Sequence, residues 1–234
     1  MRTLIFANGT MDRWPDGLEP VPAPTDLVIA ADGGLRHCQR WNWTPHVLVG
    51  DMDSVDPVMM AAVDPCVTTI IRHPAQKDET DLELALKLAV SRKSRDIVIL
   101  GALGGRLDMT LSNVMLLGAA FLEGIAVGIY DGHDELRCLK GGGQMALSGS
   151  PGDRLSILPL SETVSGVTLD GLAYPLWRAL LPLGTSHGIS NVFTGNTARI
   201  CIEKGTLLIT VNRSPSGSDT AEKPDFSTAK ALPA

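Results

Sequence analysis

Four short stretches of this 234-residue chain carry the residues that could do chemistry. GDMDS, residues 50–54, sets Asp51 and Asp53 two positions apart directly after an apolar run. At a strand end about to turn, both carboxylates can reach one crevice. Magnesium takes oxygen ligands and is commonly shared between a few carboxylates, waters and substrate phosphates, so the pair suits a metal–nucleotide site. The same residues also make a sound turn, with Ser54 or Asp56 capping a short helix near Pro57. KDETDLE, residues 77–83, brings Asp78, Thr80 and Asp81 to the start of a helical pattern. Thr80 with Glu83 fits a capping box, and acids in a first turn suit the helix dipole, but Asp78 lies outside that box. GALGGRLD, residues 101–108, is a glycine-rich strand-to-helix turn ending in Arg106 and Asp108. Its backbone amides can approach a phosphate closely and Arg106 can bond phosphate oxygens. It is neither a Walker loop nor a GxGxxG fingerprint. ADGG, residues 31–34, offers Asp32 and two glycines that are equally a common turn.

Other chemistries find less support. The five histidines are scattered without metal-ligand spacing, and His73 and His187 read as loop residues. Cys38, Cys66, Cys138 and Cys201 form no CxxC pair, which argues against a zinc knuckle or a dense disulfide framework and for buried thiols. The formal charge is −6, divided as −8 over residues 1–135 and +2 over residues 136–234. An acidic first half is the wrong sign for binding nucleic acid through its phosphates. No apolar run approaches the roughly 20 residues of a membrane span and the N-terminus carries no leader pattern, so a cytoplasmic location is expected.

The elements that must position these residues follow from two periodicities. Apolar runs from Thr3, Leu27, His46, Val67, Asp96 and Ile125 alternate with helical patterns from Thr80 and Leu107. That order predicts a parallel sheet with helices on both faces, the acids and glycines meeting outside the carboxyl ends of its strands. From residue 136 short β-like runs (QMALSG, DRLSILPL, TVSGVTLDG, ARICIEKG, TLLITVNR) predict a small antiparallel β domain. The expected layout is an α/β domain over 1–135, a β domain over 136–213 and a mobile Pro/Ser-rich tail over 214–234.

In order, ADGG, GDMDS, KDETD and GGRLD, followed by GLAYPL (171–176) and GISN (188–191), resemble the motif series of the thiamine pyrophosphokinase family over nearly the whole of residues 4–213. The resemblance implies an ATP-binding α/β domain and a C-terminal β-sandwich that binds thiamine, in a homodimer with thiamine sites between subunits. It implies diphosphate transfer from ATP to the thiamine hydroxyl, with Mg²⁺. Asp51, Asp53, Asp78 and Asp81 become the acidic transfer site, Asp51, Asp53 and Asp81 the metal ligands. Asp32, Gly33, Thr80, Arg106 and Asp108 line the nucleotide site, and Ser190 and Asn191 contact thiamine. Met109 stands where the family commonly has His. A nucleotide hydrolase with the same metal site and a non-catalytic thiamine diphosphate sensor remain the alternatives.

Overall fold

The computed structural model describes residues 1–16, 18–19 and 22–214. Apart from Ser214, the expected tail lies outside the described residues. The described residues divide into two compact units, one formed by residues 1–116 and 120–132, the other by residues 117–119 and 133–214.

The first unit contains β1 (Arg2–Phe6), β2 (Leu27–Ala31), α1 (Leu35–Arg40), β3 (Val47–Gly50), α2 (Pro57–Ala61), β4 (Thr69–Arg72), α3 (Asp81–Ser91), β5 (Asp96–Leu100), α4 (Leu107–Leu116) and β6 (Ala126–Asp131). Its strands run parallel in the order β6-β5-β1-β2-β3-β4. The central strands are apolar on both faces because helices cover both. Leu4, Phe6, Val28 and Ala30 share a core with Leu35 and Cys38 of α1 and with Trp41 and Trp43. Alternate residues such as Ile5 and Ile29 point the other way, and α3 packs on β1, β2 and β3 through buried Leu82, Ala85, Leu86 and Ala89. Both helices end on a left-handed residue just past the cap, Asn42 at φ +56° and Lys93 at φ +63°. Asp56 caps α2 as the turn reading anticipated, accepting from Val58 N and Met59 N.

Among the described residues the elements of the second unit are all strands: β7 (Asp134–Lys140), β8 (Gln144–Ser148), β9 (Arg154–Pro159), β10 (Thr163–Asp170), β11 (Leu176–Pro182), β12 (Asn191–Val192), β13 (Thr197–Cys201) and β14 (Thr206–Asn212). They form two antiparallel layers, β12-β9-β14-β7 and β11-β10-β13-β8. Leu155, Ile157, Leu207 and Ile209 of one layer and Val164, Val167, Leu181 and Ile200 of the other fill one core. A register shift at Gly166, which sits at φ +68°, lets Val164 and Val167 both point inward although three residues apart.

The α/β-plus-β fold expected from the periodicities is therefore present. Three strands, β7, β11 and β12, and the short α1 escaped the sequence reading. The cysteines correct it: all four are free, but only Cys38 is buried, while Cys66 is exposed and Cys138 and Cys201 are half-buried. Burial pushes the Cys138 thiol up to about 11. Among the described residues no helix is long and apolar enough to cross a membrane.

Candidate active site

From β1 the chain builds β2, β3 and β4 outward on one side, then crosses to β5 and β6 on the other. The strand order thus reverses between β1 and β5, and ligands of open parallel sheets lie outside the carboxyl ends at such a point. A cavity of about 460 Å³ opens there, lined by Asn8 and Gly9 after β1, Asp32 and Arg36 after β2, Asp81 and Leu82 at the start of α3, and the Ala102–Arg106 turn with Met109 and Asn113 of α4.

Asp32, Asp51 and Asp53 bring carboxylate oxygens within 4.8 Å of one another. The backbone that does this is strained: Asp32 stands at φ +46° and Met52, between the other two acids, at φ +69°. Gly50 supports the approach, because a Cβ there would lie 2.9 Å from Asp32 Cβ and 3.1 Å from Asp81 Oδ1. Asp32 is 3% exposed and its Oδ1 is buried with no hydrogen-bond partner among the described residues. Lys77, 11% exposed at its side chain, lies 3.0 Å from Asp51 Oδ2 and 3.1 Å from Asp81 Oδ1. The Asp53 amide, and then Lys77, hold the Asp51 carboxyl below the usual range. Burial pushes the Asp81 carboxyl up against the pull of Lys77. Burial draws Lys77 down, but its bonds to Asp51 and Asp81 outweigh that and the ammonium is held upward. A convergence of three carboxylates with a buried, unpartnered oxygen and no nitrogen or sulfur donor fits a hard divalent cation.

The glycine turn forms the opposite wall. Gly101, Gly104 and Gly105 take φ of +62°, +78° and +69°, and open space surrounds the Cβ position of Gly105. Arg36 donates to the carbonyls of Asn8 (2.8 Å) and Gly9 (2.6 Å), and the buried His37 Nε2 lies 2.8 Å from the same Gly9 oxygen. Arg106 and Asp108 are exposed and bonded to each other, Nε to Oδ1 at 3.1 Å. The Thr80 hydroxyl is the cap of α3, accepting from Glu83 N at 3.2 Å.

The second unit carries its own pocket, about 320 Å³, lined by Leu169, Tyr174, Leu176, His187, Ile189 and Asn191 among others. Asn191 is buried and committed to the fold. Its Oδ1 accepts from Tyr174 N and Val192 N, both at 2.9 Å, and its Nδ2 donates to Tyr174 O at 2.7 Å. Ser190 is exposed at φ +58°, its amide donating to Ser156 Oγ at 3.0 Å.

Two family models match this chain in succession: "Thiamin pyrophosphokinase, catalytic domain" over residues 20–128 and "Thiamin pyrophosphokinase, vitamin B1 binding domain" over residues 145–207. Together they span well over half of the sequence. The chain belongs to the thiamine pyrophosphokinase family. Thiamine pyrophosphokinase of Bacillus subtilis is 29% identical over 89% of this chain and 98% of its own length. The crystal structure of the Bacillus subtilis enzyme superposes with a TM-score of 0.82 at 27% identity, covering 92% of this chain and all of that one. A thiamin pyrophosphokinase family protein from Enterococcus faecalis gives 0.80 at 28% identity, with the same coverage of both chains.

As a thiamine pyrophosphokinase family member, the chain places its motif residues unevenly. Asp51 and Asp53 converge with Asp32 rather than with Asp81, which joins the group through Lys77. Asp78 is exposed and outside the cluster. Gly33 lies beneath the Asn8 side chain, where a Cβ would collide. Arg36, Lys77 and Asn113 were not read from the sequence as site residues, and Asn8 only as the small polar end of a strand. Lys77 had a usable signal, four residues before Asp81; the others become neighbours of the acids only through the sheet.

Proposed function

We propose that this member of the family is a Mg²⁺-dependent, cytoplasmic diphosphotransferase that moves the terminal diphosphate of ATP onto the thiamine hydroxyl, giving thiamine diphosphate and AMP. The observation that carries the reading is the convergence of Asp32, whose Oδ1 is buried without a partner among the described residues, with Asp51 and Asp53 at the switch point of the sheet. Those three acids would hold magnesium, which when bound supplies positive charge to the phosphate oxygens. Asp81 is kept next to them by Lys77.

In this reading the thiamine hydroxyl oxygen forms a bond to the β-phosphorus, the bond from that phosphorus to the oxygen bridging the α-phosphate breaks, and AMP leaves with that oxygen. The hydroxyl proton passes to one of the site's carboxylates. The rest is positioning and charge. Amides of the Gly101–Gly105 turn meet the phosphates, and Arg106, swung from exposed Asp108, adds a cation. Lys77 keeps the excess of acids from repelling an anionic substrate.

Thiamine belongs to the pocket of the second unit, where Asn191 sets the backbone of exposed Tyr174, and exposed Ser190 lies between the lining residues Ile189 and Asn191 in sequence. The α/β domain over 1–135 and the β domain over 136–213 would then divide nucleotide and vitamin between them. A homodimer agrees with the surface of α4. Leu107, Leu111 and Met115, spaced by four residues, are 71, 55 and 67% exposed, an apolar stripe suited to a second copy of the chain. The test is a product analysis with thiamine, ATP and magnesium. Thiamine diphosphate and AMP in equal amounts support the reading. AMP or ADP without consumption of thiamine points to a hydrolase, and binding without turnover to a sensor.

A further inference from the structure

Helix α4 exposes an apolar stripe and buries a polar side chain. Its apolar Leu107, Leu111 and Met115 face outward, and its one buried side chain is polar, Asn113, 6% exposed. The Asn113 Nδ2 donates to the carbonyl of Ala102 at 2.8 Å. This bond fixes the amide, since the flipped orientation would set one oxygen against another. Asn113 Oδ1 is therefore left as a buried acceptor without a partner among the described residues, on a residue that lines the 460 Å³ cavity. Buried acceptors are seldom left unpaired, and one that lines a cavity is open to a donor entering that cavity.

The other groups lining the cavity narrow down which part of a nucleotide that is. The Asp32 carboxylate suits metal, Asp81 is engaged by Lys77, and the glycine turn, Arg36 and Arg106 suit phosphate. Buried Ala7, Ala31, Leu82 and Ala102, with partly exposed Met109, supply apolar surface suited to a flat base. Of the neutral side chains lining the cavity, Asn113 is the one whose acceptor is buried and unpartnered among the described residues. We infer that Asn113 reads the nucleobase, its Oδ1 accepting a hydrogen bond from the exocyclic amine of adenine, and so makes the site prefer ATP over purine triphosphates that lack a donor at that position. The inference rests on the nucleotide reading of the first unit proposed above.

The test is calorimetric binding of three triphosphates with magnesium and without thiamine: ATP, purine riboside triphosphate, which lacks only the amine, and 2′-deoxy-ATP. Leaving a buried acceptor unpaired predicts that purine riboside triphosphate binds roughly 10-fold more weakly than ATP, with 2′-deoxy-ATP much less affected. In Asn113→Leu, and in Asn113→Ser should the first variant fail to fold, ATP should fall to the level of purine riboside triphosphate so that the ratio closes to about one. A purely structural role would weaken all three ligands equally and keep the ratio. Equal binding of ATP and purine riboside triphosphate by the unaltered protein, or a ratio unchanged in the variants, overturns the inference while leaving a nucleotide site. A loss confined to 2′-deoxy-ATP overturns it in favour of the ribose. Failure of every triphosphate to bind overturns it together with the nucleotide reading.

Discussion

The crevice of the first unit and the pocket of the second handle their polar groups in opposite ways. In the crevice the chain leaves oxygens waiting: Asp32 Oδ1 and Asn113 Oδ1 are buried without partners among the described residues, and Asp51 and Asp81 share one lysine. In the pocket Asn191 is saturated by the backbone of Tyr174 and Val192. An unsatisfied buried group costs stability, so a fold keeps one where a ligand completes it; a satisfied one holds a surface in shape. The first unit is therefore built to take up charge, the second to present a preformed wall.

If that contrast is right, the largest effect should come from the acids. Asp53→Asn should lower kcat/KM on the order of 10²–10³-fold with little change in melting temperature, and Asp32→Asn should match it. Steady-state kinetics over a magnesium series checks both, and full activity in Asp53→Asn would remove the metal site from the account. Lys77→Met comes next. Without the ammonium, Asp51 loses one of the two contacts that hold its carboxyl down, so the acidic limb of the pH–activity profile should move to higher pH and kcat should fall about 10-fold. Asn191→Ala should act through the fold: about 1–3 kcal/mol less stable by denaturant unfolding, weaker for thiamine, and unchanged for ATP. A change in ATP affinity there would erase the division between the two regions.

The smallest effect is expected at His37. Burial, then Arg36 and Arg40, draw its imidazole below 6.5, against the pull of the Gly9 carbonyl and Asp12. The unfolded chain then binds the extra proton first. Stability contributed by neutral His37 is present above about 6.5 and declines as pH falls from there toward its lower folded-state value. Melting temperatures at pH 7.5 and 5.5 should differ less in His37→Gln than in the unaltered protein.

How much of this was legible beforehand depends on range. Asp51 and Asp53 could be read because a strand end, a turn and paired acids lie within five residues. Thr80 and Glu83 were read as a cap for the same reason, and the cap is present. Asp32 belongs to the same cluster but lies about twenty residues away, and only the pairing of β2 with β3 makes them neighbours. Asn113 follows the glycine turn by a full two helical turns, and its side chain matters because α4 buries it against Ala102, which no local pattern encodes. β11 was missed because LWRALLP alternates poorly, leaving Trp177 and Leu180 exposed. Asp78, a motif position just before α3, is exposed and stands apart from the three-acid cluster.

The central claim is that these acids and glycines carry a diphosphate, rather than one phosphate, from nucleotide to thiamine. Separate incubations with ATP labelled at the α-, β- or γ-phosphorus decide it. The account predicts β- and γ-label together in thiamine diphosphate and α-label in AMP alone. Label from the γ-position alone on thiamine, with ADP as the other product, would contradict it.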